Sequence, residues 1–160
     1  MSTIAEFEKK HDVKLIAKYD SKLMSLIGFF LKSFMTDFWT TYRLPWTKPI
    51  ITYPDGTKDP LSHISTLEHE LIHTDDMRSF LGLLKTFLLY FFVPLPVLFS
   101  GRWYVEFPAY LNDITKYNMN VERAVDILWS SYLWCWPKPL MRKKFYKHLK
   151  EYNNAKEKRL

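Results

Sequence analysis

Two histidines four positions apart, in His69-Glu70-Leu71-Ile72-His73, constrain this chain more than any other feature. The spacing predicts a helix, because only there do residues i and i+4 stack on one face, one turn apart. Both imidazoles can then reach one metal ion, and Glu70 stands where it can take a proton from a metal-bound water. Leu67, Leu71 and Ile72 anchor such a helix in a core and leave the histidines facing a cleft. A working site also needs a third ligand, an edge for a substrate and a wall that limits water.

The rest of the chain is well supplied with core material. Its 160 residues fit one domain, 1–160, and apolar residues make up 48%, with only four glycines. The expected class is α+β and mainly helical. Within it we expect an N-terminal helical segment (1–36), a core around the motif (37–117), C-terminal helices (118–150) and a frayed tail (151–160). Cys135 is the single cysteine, so an intramolecular disulfide is excluded. Met1 to Lys10 has neither the apolar run nor the cleavage site of a secretory signal, which makes a cytoplasmic setting the expectation.

The net charge of +6 is concentrated late, in Lys138, Arg142, Lys143, Lys144, Lys147, Lys150, Lys156, Lys158 and Arg159. A basic terminal helix can meet nucleic acid or an anionic membrane, but such a run more often forms a solvated face. No zinc-finger spacing supports nucleic acid as a partner, and none is expected.

Taken in order, Thr3-Ile4-Ala5-Glu6 reads as a capping box opening a helix whose sparse apolar positions are Ile4, Phe7, Leu15 and Ile16. A break at Asp20-Ser21 leads into an apolar helical stretch, Leu23 to Phe34. Phe38 to Tyr42 and Lys48 to Tyr53 read as two strands, the second closed by Pro54-Asp55-Gly56, and their prolines suit an edge. A strand edge just before the metal helix can hold an extended peptide by β-addition. Ser62 or Ser65 is the expected cap of that helix. Phe80 to Phe99 is long enough to span a bilayer, but Lys85, Pro94 and Pro96 favour a buried helix followed by a loop. Membrane contact through 80–99 or through the basic C-terminal helix stays open. Asn118 or Asn120 caps a helix from Val121 to about Trp134, and Pro139 suits the first turn of a last helix ending near Lys150.

The third ligand could be His63, Asp75, Asp76, Glu106, Asp113 or His148. Asp75 and Asp76 lie too close along the same helix to complete a tripod easily. The order H-E-L-I-H, an apolar segment with a Pro-Leu-Pro turn, then R-W-Y-V-E-F-P-A-Y resembles the gluzincin metallopeptidases. It is similar in particular to short metallopeptidases of phages and bacteria, over roughly Phe38 to Tyr110. The resemblance implies a minimal zincin-like domain with a two- to three-stranded sheet packed on the metal-binding helix. It also implies one Zn²⁺ held by His69, His73 and Glu106, with Glu70 as general base.

Two positions depart from that pattern. Tyr110 stands where many gluzincins place an aspartate that orients a ligand histidine, a role Asp113 or Asp76 could take. Pro108 suits a helix that begins near Glu106 rather than one running through it. A salt bridge to Arg102 is the plain structural alternative for Glu106. Tyr104, Tyr110, His63 and Arg102 are the candidates for stabilising an oxyanion. The functional expectation is a zinc metallopeptidase acting on a peptide or protein substrate, in a host cytoplasm or virion if phage-encoded. The rival is a non-catalytic, zinc-stabilised virion or membrane-associated structural protein.

Overall fold

A computed structural model describes residues 3–30, 32–91, 101–131 and 137–157. It is mainly helical with one small mixed sheet, and the chain falls into two compact units, Met1–Leu84 and Lys85–Leu160. Cys135 and the Pro94 to Phe99 part of the apolar stretch lie outside the described residues.

The first unit opens with α1 (Ile4–His11), held by the expected capping box. Glu6 N–H donates to the Thr3 hydroxyl at 3.3 Å, and Thr3 N–H donates to the Glu6 carboxylate at 2.8 Å. The helix stops earlier than the sequence suggests, because Asp12 turns left-handed at φ 52°. Leu15 and Ile16 therefore lie in a strand, β1 (Lys14–Ala17), and not in the helix. Alternation explains it: Val13, Leu15 and Ala17 are buried, while Lys14 faces water. A 3-10 turn, Lys18–Asp20, leads into α2 (Lys22–Phe30) and α3 (Lys32–Asp37).

Strands β2 (Thr40–Tyr42) and β3 (Ile50–Tyr53) fall inside the two expected segments. The order is β1-β3-β2, with β3 parallel to β1 and antiparallel to β2. So β3 is central, not an edge as its prolines suggested. Pro49 and Pro54 flank the strand rather than interrupt it, and Ile51 and Thr52 between them are wholly buried. The core here joins Val13, Leu15, Ile51 and Leu67, backed by Phe7, Trp39, Tyr53, Leu61 and Leu71.

Helix α4 (Ile64–Asp76) packs on β2 and β3. Its N-cap is His63, which gives no side-chain cap, and neither Ser62 nor Ser65 takes that place. The preceding 3-10 turn, Pro60–Ser62, is capped instead by Asp59, whose carboxylate accepts from Leu61 N–H. At the far end Arg43 donates to the Thr47, Met77 and Arg78 carbonyls, tying the β2–β3 loop to the end of α4.

Next comes α5 (Phe80–Phe91). Its Gly82 is required by a close approach: a Cβ there would stand 1.9 Å from the Asp76 carbonyl oxygen. Among the described residues no helix is long and apolar enough to cross a membrane. The start of α5 is not the buried helix expected of this stretch, since Leu81 is 74% and Leu84 is 42% exposed.

In the second unit α6 (Gly101–Tyr117), α7 (Val121–Ser131) and α8 (Lys138–Glu157) share one core of Trp103, Tyr110, Leu128, Met141 and Phe145 with smaller neighbours. Asn118, left-handed at φ 55°, follows the end of α6, and the Asn120 side chain caps α7 by accepting from Glu122 N–H at 2.7 Å. Arg142 on α8 pairs with Glu122 on α7 at 2.7 Å, and Lys138 with Asp126 at the same distance. Part of the basic run is thus used inside the fold, while Lys143, Lys144 and Lys147 face water. The helix runs on to Glu157, where the sequence suggested a tail from 151.

Candidate metal centre

Helix α4 has two adjacent buried stripes. Leu67, Glu70 and Thr74, spaced by three and four, form the stripe that includes the sheet contact, and His69 and His73 form the other. The two imidazole centroids are 5.1 Å apart, with the rings at 75° to each other. Glu70 is held by β2: the Thr41 hydroxyl donates to its Oε2 at 2.6 Å, with the Glu70 carbonyl 3.4 Å away. A short bond to an ionised acceptor is among the stronger kinds a protein makes.

Helix α6 carries Glu106 on a buried stripe with Ala109, Tyr110 and Asp113. The helix does not begin near Glu106; it starts at Gly101 and runs through Pro108. The ring is accommodated because Pro108 faces outward, where the carbonyl left without its usual N–H donor can meet water.

Among the described residues one set of histidine, cysteine and acidic side chains could hold a metal ion: His69, His73 and Glu106, all buried. Each offers one donor atom, and these lie within 4.8 Å of one another. Two imidazoles and a carboxylate are a donor set zinc accepts, leaving a fourth position open.

The other expected residues are placed as follows. Asp113 is buried on the same face of α6 as Glu106, and Tyr110 is packed in the three-helix core. Tyr104 is half exposed, and Asp76 is exposed at the end of α4. His63 is exposed, its ring 5.8 Å from that of Trp39. Asp75 is paired with Arg78, and His148 lies 3.4 Å from Glu151. The Arg102 side chain is outside the described residues.

Sequence reasoning missed two residues, Thr41 and Lys18. Thr41 was read only as part of a strand, although a hydroxyl on the strand before the motif was the available signal. Lys18 is wholly buried, and nothing in its local sequence announces it. Burial pushes its ammonium down to about 8, with attraction to Glu70, Asp55 and Asp37 acting the other way.

No protein-family model, no curated protein and no solved structure matches this chain.

Proposed function

We propose that this chain is a zinc-dependent metallopeptidase with a minimal zincin-like fold, of the gluzincin kind. The observation that carries the reading is the buried His69, His73 and Glu106 group, with Glu70 between the two histidines in sequence and fixed by Thr41. His69, His73 and Glu106 would hold the ion, which when bound supplies a Lewis acid that polarises a scissile carbonyl and acidifies a water.

The chain's own residues do the rest. Glu70 accepts the proton of the attacking water and returns it to the leaving amine. Strand β2 lies at an edge of the sheet and packs on α4, so an extended peptide can add alongside it. Thr41 keeps the Glu70 carboxylate in place. Of the oxyanion candidates whose side chains are described, Tyr104 and His63 have exposure suited to meeting a substrate, and Tyr110 is committed to packing.

Elemental analysis of the purified chain, together with hydrolysis of a peptide library with and without chelator, tests the reading. One zinc per chain and chelator-sensitive cleavage that Glu70→Gln abolishes while keeping zinc are expected; undiminished cleavage by Glu70→Gln would falsify it.

A second reading is a non-catalytic, zinc-stabilised virion or membrane-associated structural protein. Its support is the apolar surface left on α2 and α5, where Leu26, Phe29 and Leu81 are 61%, 79% and 74% exposed. Zinc without hydrolysis, with partitioning into lipid vesicles, would favour it.

A further inference from the structure

The loop between β2 and β3 displays a large aromatic in a backbone conformation that such a side chain disfavours. Thr47 N–H donates to the Leu44 carbonyl at 3.1 Å, with Pro45 and Trp46 between them. Proline in the second place and a positive φ in the third is the pattern of a type II turn, whose third place normally falls to glycine or asparagine. Here it holds Trp46, at φ 62°. The indole recovers nothing from burial, since Trp46 is 96% exposed. The turn is nonetheless fixed from both sides. The Thr47 hydroxyl donates to the Leu44 carbonyl at 2.9 Å and accepts from Leu44 N–H at 3.2 Å. Arg43 ties the Thr47 carbonyl to the Met77 carbonyl at the end of α4. A strained residue held this firmly and turned to water points to a use outside the fold.

Trp46 is one wall of a cavity of about 300 Å³, whose other walls are Asp12, Arg43, Thr47, Lys48, Pro49 and Arg78. Asp12 engages Lys48 at 2.6 Å and Arg78 at 3.9 Å, and Arg78 also pairs with Asp75. With Asp75 counted in, cations still outnumber carboxylates by three to two. The donors of Arg43 go to neutral carbonyls, which satisfy its N–H groups without cancelling its charge. An ammonium has three donors, so Lys48 can serve an anion besides Asp12.

We propose that this loop docks the chain on an anionic phospholipid surface, with Trp46 entering the headgroup boundary and the cationic cavity beside it taking a phosphate-bearing headgroup. An indole has an apolar body and a single polar N–H, and it settles by preference at that boundary. Leu44 on the same turn is exposed and adds apolar area. The excess of positive charge complements anionic headgroups. A projecting aromatic with cations beside it suits a membrane better than a peptide, which docks in a groove or along a strand edge. The site is separate from the histidine helix motif, and it holds whether or not the chain cleaves peptides.

Co-sedimentation of the full chain with vesicles tests it. The vesicles are phosphatidylcholine alone, or phosphatidylcholine with about 30% phosphatidylserine, each at low and high salt. Wild type should bind the anionic vesicles, bind the neutral ones weakly and be released by salt. Trp46→Gly is the informative variant, because glycine suits φ 62° and the fold should be no less stable in urea than wild type. Its binding should nevertheless fall roughly tenfold or more, and that of Lys48→Gln about fivefold. Wild-type binding by Trp46→Gly overturns the proposal, since the apolar faces of α2 and α5 or the basic α8 would then be the contact. Equal binding to neutral vesicles overturns it too, as does binding to an acidic peptide or to DNA with none to vesicles.

Discussion

The Thr41 hydroxyl donates to Glu70 Oε2 across 2.6 Å, so the edge strand and the histidine-bearing helix are joined at the residue assigned the proton transfer. Strand and helix are about thirty residues apart in sequence, and the bond makes the placement of Glu70 depend on the sheet. A peptide adding to β2 would lie beside the strand that holds the base. On the proposed peptidase reading, substrate and base would then share one support.

Thr41→Val keeps the β-branched shape and removes the donor. The expected result is a loss of roughly 1–2 kcal/mol in stability, because a buried carboxylate oxygen loses its short hydrogen bond. Zinc content should be unchanged while kcat falls. Denaturant unfolding and turnover of the same preparation check both parts, and a drop in zinc content would mean that Thr41 shapes the metal group itself.

His69→Ala, His73→Ala and Glu106→Ala should each abolish stoichiometric zinc binding, because each removes one of three donors. Glu106 is the informative one. If Glu106→Ala retained zinc at wild-type affinity by calorimetry, the third ligand would lie elsewhere, and Asp113 on the same face of α6 would be the next to replace.

Arg43 donates to the Met77 and Arg78 carbonyls at the end of α4 and to Thr47 in the loop before β3. Arg43→Ala leaves these carbonyls without their cationic donor where the helix dipole favours one. A destabilisation of about 1–3 kcal/mol is expected, with Arg43→Lys recovering only part because an ammonium lacks the planar fork. Unfolding midpoints of the three chains in urea provide the check.

How far the sequence could be read depended on whether the deciding interaction was local. The capping box at Thr3, the Asn120 cap, the two strand segments and the motif helix are set by neighbours within a few residues, and each lies where its local pattern indicates. β1 was missed because Leu15 and Ile16 suit a helix face as well as a strand, and a single left-handed residue, Asp12, decides between them. The central place of β3 needed β1 as its third partner. His69 and His73, offered by their i, i+4 spacing, and Glu106, offered by the resemblance, lie together as a buried group that could hold a metal ion. Thr41 meets Glu70 from another part of the chain, Lys18 is buried by its tertiary surroundings, and interactions of that kind leave no periodic trace.

Lys18 also makes a prediction about pH. Burial pushes its ammonium down to about 8 in the fold, from an ordinary value of 10.5. Between those two values the unfolded chain still holds a proton on Lys18 that the folded chain has released. Stability attributable to this group therefore rises with pH across the window, and below pH 8 the folded chain carries the full penalty of holding this charge. Lys18→Met removes the penalty. Relative to wild type it should be most favoured near pH 7, and the difference should shrink steadily toward pH 10.5. Other groups titrate alike in the two chains and cancel in that difference, so paired urea unfolding at pH 7 to 10.5 isolates Lys18. A stability difference that stays flat across the window would mean that Lys18 keeps its proton in the fold, held by Glu70, Asp55 and Asp37 more firmly than burial opposes it.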